Sequence, residues 1–314
     1  MRQTCLEMVH ELARNDPRVV FIGSDLSPGL LAGMKQEMPD RHYMEGVMEQ
    51  HVIGMAAGMA MDGFVPYVNT IATFITRRCY EQVALDLCLH DLPVRLIANG
   101  GGLVYAPLGP THLAVEDLAI MRALPNMTVT AAADAEEMKR LMRASLEWPH
   151  PIYIRLGKGG DPVISTEANG FAIGKGIVMR PAGGDNAILL IACGVMTARA
   201  LAAAALLGSN GRDVEVIHIH TVKPLDEALI VRRAQAASSV FTIEEHTLIG
   251  GLGSAVIDLL VEHGLVGRRV VKKLGLADAF ARNYGTQDDL LEINGLLPDQ
   301  IAATIERTLT YAAV

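Results

Sequence analysis

The sequence predicts an α/β protein built from two doubly wound domains. Short apolar runs bounded by Gly, Pro or Asp alternate with helix-like stretches of ten or more residues along most of the chain. The length of 314 residues is enough for two domains. Half of the residues are hydrophobic but only 4% are aromatic, a composition that suits helices on a buried parallel sheet better than a sheet sandwich.

The first domain is predicted over residues 1–160. It begins with a helix over 1–14 and a buried strand over 18–24. Further strands are predicted over 65–71, 94–100, 127–133 and 151–157, and the helices between them over 49–61, 77–89, 114–123 and 135–147.

A segment rich in Gly, Pro and Asp predicts a linker over 161–185. The second domain follows over 186–314 with the same alternation. Its strands are predicted over 186–194, 214–220, 239–245 and 269–275, and its helices over 197–208, 225–237 and 254–263.

Charge and cysteine usage exclude several classes of protein. The net charge is −8 and no Lys/Arg stripe is interleaved with aromatic residues, which argues against a nucleic-acid partner. Cys5, Cys79, Cys88 and Cys193 form no CxxC pair, so neither a zinc site nor a disulfide framework is expected. The first twenty residues are an amphipathic helix rather than a signal peptide, and no apolar run reaches the length of a membrane span. We expect a cytoplasmic protein with no membrane partner.

The Gly251-x-Gly253 turn resembles half of a dinucleotide-binding fingerprint. Val256 occupies the third glycine position, and the chain reads VVKK over 270–273, where an acidic ribose ligand is required. We interpret the turn as structural and reject NAD binding.

Glu49 is the first candidate site residue. It is a lone carboxylate at the start of the apolar, small-residue stretch 49–61, which is expected to be a buried helix. A buried carboxylate must have a charged partner or hydrogen-bond a ligand. Two roles remain open from the residues alone: a helix N-terminal carboxylate stabilised by the helix dipole, and a catalytic acid/base.

Four other residues have both an ordinary and a functional interpretation. His112 follows a Gly-Pro turn and, considered alone, is a structural hydrogen bonder. Phe74 lies where a strand gives way to a helix, so core packing is its default role. Arg77 and Arg78 begin the helix predicted over 77–89, where cations oppose the helix dipole; they indicate an anionic partner, or are simply solvated.

Four segments together resemble the thiamine-diphosphate enzymes of the transketolase group. They are MEGVMEQHVIGMAAGMAMDGFVPYV (44–68), TFITRRCYEQ (73–82), GPTHLAVEDLAIMRALPNM (109–127), and VKPLDE with EEHTLIGGLGSAV (222–227 and 244–256). The resemblance covers essentially the whole chain in the family's order. It implies a pyrimidine-binding domain followed by a transketolase C-terminal domain.

The family's diphosphate-binding half, marked by a GDG motif and a downstream Asn, is missing from this sequence. The resemblance therefore implies the C-terminal subunit of a split transketolase. An N-terminal partner subunit would then hold Mg²⁺ and the diphosphate, and no metal ligand is expected on this chain. An α2β2 heterotetramer follows, with the apolar stretch near Glu49 as a candidate homodimer surface.

The resemblance also assigns roles to residues. Glu49 matches the glutamate that bonds the aminopyrimidine ring nitrogen of thiamine diphosphate, and Phe74 matches the aromatic that stacks on that ring. Arg77 lies where related 1-deoxyxylulose-5-phosphate synthases also have an arginine, and is expected to bind cofactor or substrate. His112 matches a catalytic, substrate-binding histidine near the reacting carbonyl, and Arg155, in YIRLGK, matches an arginine that grips a substrate phosphate.

Two positions depart from ordinary transketolases and leave the ketose donor and aldose acceptor open. Leu108 replaces an aspartate that reads a donor hydroxyl, and Gly100 replaces a phosphate-gripping histidine. We expect two-carbon ketol transfer between sugars or sugar phosphates. The alternatives are the beta subunit of a 2-oxoacid dehydrogenase, a 1-deoxyxylulose-5-phosphate synthase-like enzyme, and a non-catalytic subunit.

Overall fold

The computed structural model describes residues 1–24, 26, 29–157, 159–267 and 269–312. Lys158, in the YIRLGK segment, lies outside the described residues. Within them, twelve strands form two separate sheets, each flanked by helices. The predicted fold class of two α/β domains is confirmed.

The first half of the chain supplies six strands, within the described residues: β1 (Val19–Gly23), β2 (His42–Met44), β3 (Val65–Ile71), β4 (Arg95–Asn99), β5 (Thr128–Ala131) and β6 (Ile152–Leu156). Its helices are α1 (Arg2–Asn15), α2 (Ala32–Glu37), α3 (Glu49–Met61), α4 (Ala72–Thr76), α5 (Tyr80–Gln82), the π-helix Val83–Leu89, α6 (Asp117–Ala123) and α7 (Ala135–Leu146). Short 3₁₀ turns occur at Pro39–Arg41 and Ala106–Leu108.

The second half contains the strands β7 (Ile177–Arg180), β8 (Ile188–Ala192), β9 (Val214–His218), β10 (Thr221–Lys223), β11 (Ser239–Thr247) and β12 (Val270–Leu276). Its helices are α8 (Met196–Ser209), α9 (Glu227–Ala236), α10 (Leu252–Glu262), α11 (Gln287–Ile293) and α12 (Pro298–Ala312), after a 3₁₀ turn at Glu167–Asn169.

Both sheets are mixed. The first has the strand order β10-β5-β6-β4-β3-β1-β2, with β10 antiparallel to β5 and the other pairs parallel. The second has the order β12-β11-β8-β9-β7, with β7 antiparallel at one edge. Because β1, β3 and β4 are parallel neighbours, their carboxyl ends meet at one edge of the first sheet, where ligands bind in such folds.

The two halves share a continuous apolar core. One buried cluster contains Val68 and Leu96 from the first sheet together with Leu189 and Ile217 from the second. In addition, β10 belongs to the second half of the sequence but pairs with β5 of the first half. Apolar burial and backbone pairing therefore both fix the position of one half against the other.

The helix predicted over 77–89 begins at Tyr80, later than predicted, and a separate short helix, α4, precedes it. The chain turns directly from β3 into α4, so Phe74 is helical, and the π-helix Val83–Leu89 follows after α5. Arg77 and Arg78 therefore lie in the turn between the C-terminal end of α4 and the N-terminal end of α5. The prediction that they are the first residues of the helix is wrong, since that helix begins at Tyr80.

Other segments differ in detail. Residues 29–48, for which no element was predicted, contain α2 and β2, and β7 lies inside the segment predicted as a linker. The four cysteines are buried free thiols. In the part of the chain that is described, no helix has both the length and the apolar character needed to cross a membrane.

Candidate active site

The candidate site lies at the carboxyl edge of the first sheet. Glu49 is the first residue of α3, Phe74 lies in α4 directly after β3, and His112 lies in the loop that follows β4. Each side chain therefore comes from a segment near the shared edge of the sheet. Helices position Glu49 and Phe74. His112 is positioned by a loop whose backbone is hydrogen-bonded, since the N–H of His112 donates to the carbonyl oxygen of Gly109.

Glu49 is only half satisfied by the protein. Its side chain is 2% exposed, and its Oε2 accepts a hydrogen bond from Arg78 Nη1 at 2.7 Å. Its other oxygen, Oε1, is buried and has no hydrogen-bond partner among the described residues. An unpartnered buried oxygen is costly, so Oε1 is suited to accept a hydrogen bond from a ligand.

Phe74 connects Glu49 to His112 through ring contacts. The Arg78 guanidinium carbon lies 4.0 Å from the centroid of the Phe74 ring. The His112 ring packs edge-on against Phe74, with 5.3 Å between the centroids. The structure therefore brings Glu49, Phe74 and His112 together, with Arg78 between the first two.

His112 has one ring nitrogen turned to the protein. Its Nδ1 is 2.9 Å from the hydroxyl of Thr111. Its Nε2 has no hydrogen-bond partner within the described ranges, and the residue is only partly buried. That nitrogen is available to a substrate oxygen beside the Phe74 ring.

Arg77 does not contact Glu49. Its Nε forms an ion pair with Glu116 at 2.7 Å, and its Nη2 donates to the carbonyl oxygen of Leu113 at 2.7 Å. It also lines a cavity of about 290 Å³ between the two domains. The side chain therefore braces the loop that carries His112, and its predicted contact with cofactor or substrate stays a prediction.

Arg155 is buried in β6 and bonds internally. Its Nε pairs with Asp117 Oδ2 at 2.8 Å, and its Nη2 donates to the carbonyl oxygens of Ala114 and Glu245. Burial lowers the pKa of the guanidinium, but the carboxylates of Asp117 and Glu245 outweigh it and raise the pKa above its ordinary value. No contact with Glu49 or His112 is described, so the role as a phosphate ligand stays a prediction.

The loop after β4 explains one sequence departure. Gly100 has φ of +76°, and a Cβ there would lie 2.1 Å from the ring of Tyr105. No side chain fits at Gly100 without displacing Tyr105. Leu108, the other departure, ends the 3₁₀ turn and is 49% exposed, so it is free to contact a ligand.

The Gly251-x-Gly253 turn is filled by the protein's own carboxylate. The N–H groups of Leu252 and Gly253, at the start of α10, donate to the two oxygens of Glu244 at 2.7 and 2.8 Å. A Cβ at Gly251 would lie 2.1 Å from Glu244 Oε2. The helix N-terminus that would hold a dinucleotide phosphate is thus occupied, which fits the structural interpretation of the turn.

The contact of Arg78 with Glu49 was not predicted from the sequence, and neither Asp117 nor Glu245 was a candidate residue. The arginine pair at 77–78 did indicate anionic partners, and the structure provides them as Glu116 and Glu49. Asp117 and Glu245 gave no comparable signal, because they lie 38 and 90 residues from Arg155, the residue that they contact.

Comparisons with known proteins identify the family. The model of the transketolase pyrimidine binding domain matches residues 1–160, and that of the transketolase C-terminal domain matches residues 174–301. The chain belongs to the transketolase family. The resemblance found in the sequence is therefore confirmed, and dependence on thiamine diphosphate follows from the family.

One relative and one solved structure of similar length are described as a transketolase subunit and as a split-gene transketolase. The "6-deoxy-6-sulfo-D-fructose transketolase subunit SqwH" of Clostridium sp. (strain MSTE9) is 35% identical over 302 residues, covering 96% of this chain and 92% of the relative. A solved structure described as "Split gene transketolase, inactive beta4 tetramer" is 34% identical and has a TM-score of 0.89. The match covers 98% of this chain and 98% of that chain. The sequence-based expectation of a split transketolase subunit agrees with both.

A relative that is longer than this chain also matches. The "1-deoxy-D-xylulose-5-phosphate synthase 1" of Geobacter sulfurreducens is 37% identical over 303 residues. The match covers 95% of this chain but 46% of that protein, so the chain corresponds to less than half of such an enzyme.

The residues present fit the aminopyrimidine half of thiamine diphosphate. Glu49 Oε1 is a buried acceptor without a partner, and the Phe74 ring beside it is a stacking surface. No group of three or more His, Cys, Asp or Glu side chains able to hold a metal occurs in the part of the chain that the structure describes.

Proposed function

We propose that this chain is the catalytic pyrimidine-binding subunit of a transketolase that transfers a two-carbon ketol group from a ketose to an aldose. The observation that carries the proposal is the unpartnered oxygen of Glu49, buried at the start of α3 next to the Phe74 ring. The cofactor, when bound, supplies the carbon nucleophile that carries the two-carbon unit. The residues of this chain bind and orient it.

Glu49 Oε1 would accept a hydrogen bond from the ring nitrogen of the aminopyrimidine and so favour a proton on that atom. Burial strengthens this bond, because water cannot compete for the oxygen. Phe74 would hold the pyrimidine ring by stacking on it. His112 Nε2 hydrogen-bonds the oxygen of the reacting carbonyl and moves a proton to or from it.

Arg77 and Arg155 contribute to substrate binding in this proposal. Arg77 fixes the loop of His112 through Glu116 and the Leu113 carbonyl, and it faces the cavity between the domains. Arg155 fixes the other end of the same loop through the Ala114 carbonyl. A substrate phosphate is the natural anion for either guanidinium.

A partner subunit completes the site. The sequence has no GDG motif, and the described residues offer no metal cluster, so we assign Mg²⁺ and the diphosphate to an N-terminal subunit. An assembly of one type of subunit is described as inactive for the solved split transketolase. We therefore infer an α2β2 heterotetramer that is active only when both subunits are present, and a cytoplasmic location for it.

The test is co-expression with the N-terminal subunit, sought as the product of a neighbouring gene that carries GDG and a downstream Asn. Ketol transfer is measured with thiamine diphosphate and magnesium, using ketose phosphates and 6-deoxy-6-sulfo-D-fructose, the substrate named for the clostridial relative. Activity from the pair and not from either chain alone supports the proposal. Formation of 1-deoxyxylulose 5-phosphate, or decarboxylation of a 2-oxoacid without ketol transfer, would instead identify one of the alternative enzymes.

A further inference from the structure

Arg78 occupies an unusual position in the candidate site. Its Nη1 donates to Glu49 Oε2 at 2.7 Å, and its guanidinium lies over the Phe74 ring at 4.0 Å from the centroid. No other hydrogen bond of Arg78 is described within the resolved ranges of the structure. The guanidinium therefore makes two contacts at once, one with the carboxylate and one with the face of the aromatic ring.

An aminopyrimidine bound at this site would make contacts of the same kinds, because it would stack on the Phe74 ring and hydrogen-bond the Glu49 carboxylate, although through Oε1 and not through the Oε2 that Arg78 holds. A guanidinium and an aminopyrimidine are both flat, both carry N–H donors in the plane, and both stack on an aromatic face. With Arg78 in this position, the space over that face of Phe74 is occupied. A ring that stacks there and reaches Glu49 must displace the guanidinium.

The surroundings of Arg78 allow it to leave. Its side chain is 37% exposed, whereas the side chain of its partner Glu49 is 2% exposed. It follows the last turn of α4 and is held by one carboxylate, while Arg77 beside it is held by both Glu116 and the Leu113 carbonyl. Rotation of the Arg78 side chain toward solvent needs no movement of the helix.

We propose that Arg78 is a positioning residue that holds the place of the aminopyrimidine in the unloaded chain and withdraws when thiamine diphosphate binds. It gives the buried Glu49 a counter-charge and covers the Phe74 ring until the cofactor arrives. The proposal rests on the proposed function, because it requires Glu49 and Phe74 to be the pyrimidine site. Its consequence is that the Arg78 guanidinium competes with the cofactor's aminopyrimidine for the face of the Phe74 ring.

The test compares Arg78→Ala with wild type in the complex with the N-terminal subunit. Removal of a charge-assisted hydrogen bond that exists only in the unloaded state is expected to tighten thiamine diphosphate binding by about tenfold or more, measured by titration calorimetry with magnesium. The melting temperature of the unloaded complex should fall, while that of the saturated complex should stay close to wild type. Arg212→Gln is the matched control, because Arg212 pairs with Glu306 at the same 2.7 Å on the surface of the second domain.

The outcomes separate the two proposals. Tighter binding with selective loss of unloaded stability supports the placeholder role. Weaker binding would overturn it by making Arg78 a cofactor ligand, and equal destabilisation of both states with unchanged affinity would overturn it by making the contact purely structural. If wild type does not bind thiamine diphosphate, or Glu49→Gln binds it as tightly as wild type, the proposed function itself fails.

Discussion

Buried charges in this protein are held by a few specific contacts. Asp117 is fully buried, and its Oδ2 accepts hydrogen bonds from Arg155 Nε at 2.8 Å and from the Tyr153 hydroxyl at 2.7 Å. Its Oδ1 has no partner among the described residues. Such a carboxylate depends on the Arg155 charge, because little water reaches it.

Arg155→Gln is therefore expected to destabilise the fold by about 3–5 kcal/mol, since it leaves Asp117 buried without its counter-charge. The free energy of unfolding is measured in urea, with Arg143→Gln on the exposed side of α7 as the control. A variant that keeps wild-type stability would contradict this structural role of Arg155, while a raised KM for phosphorylated substrates would separately support its proposed contact with a substrate phosphate.

At the scale of elements, the end of β11 joins the two domains. Glu245 accepts hydrogen bonds from the N–H of Leu103 and from Gln287, and His246 Nε2 accepts from the N–H of Ala119 at 3.2 Å. The other ring nitrogen, Nδ1, is 2.8 Å from the carbonyl oxygen of Thr247 and donates to it. His246 can satisfy both contacts only as a neutral ring.

Because of His246 in β11, we expect the free energy of unfolding to decrease in mild acid. Burial lowers the pKa of His246 to about 4, although the nearby Asp117 opposes the shift. In the unfolded chain the ring gains its proton near the ordinary pKa of about 6.5, whereas the folded chain resists it. The contribution of His246 is complete above pH 6.5 and decreases as the pH falls toward 4, by about 3 kcal/mol in the limit.

The measurement is the free energy of unfolding at several pH values between 7.5 and 4.5. His246→Gln should show a shallower decrease than wild type, while His263→Gln, at an exposed position after α10, should follow wild type. Parallel curves for wild type and His246→Gln would show that the ring does not carry this dependence.

The helix α3 has an outer side suited to a second copy of the chain. Its inner side buries Val52, Ile53 and Ala56, while Met48 before it and Met61 at its end are 56% and 57% exposed. Gly54 and Gly58 lie on the outer side, and a Cβ at either would meet nothing within 4 Å. Small and apolar residues there allow close approach of another helix.

Gly58→Arg is therefore expected to leave the monomer folded but to block homodimer formation through α3. Sedimentation of the chain should show a shift from dimer or larger species to monomer. Gly184→Arg is the control, because Gly184 also has open space for a side chain but lies in the second domain. An unchanged assembly state in Gly58→Arg would place the interface elsewhere.

Across the whole molecule, the sequence pattern predicted those helices and strands whose bounds depend on neighbouring residues. The bounds of α3 and β3 agree with the predicted 49–61 and 65–71, since an apolar run bounded by turn residues fixes both. Contacts between residues far apart in the chain could not be predicted from the sequence pattern. The pairing of β10 with β5, and the bonds of Arg155 to Asp117 and Glu245, join residues far apart in the chain.

The same division applies to the candidate site. Glu49 was identifiable because a lone carboxylate in an apolar stretch is costly, and Phe74 and His112 because of the family resemblance. The position of Arg78 depends on where α4 ends, which the predicted helix over 77–89 placed wrongly. A shift of a few residues decides which arginine reaches Glu49.

The decisive measurement is ketol transfer by Glu49→Gln, since Glu49 Oε1 is proposed as the acceptor for the cofactor's pyrimidine ring. The amide has almost the same shape but can present an N–H donor where an acceptor is needed. In the assembled pair we expect weaker thiamine diphosphate binding and a loss of ketol-transfer turnover of roughly 10²- to 10⁴-fold, with the fold intact. Glu37→Gln, at a surface ion pair with Arg14, should behave as wild type, and near-wild-type turnover in Glu49→Gln would rule out the proposed role of Glu49.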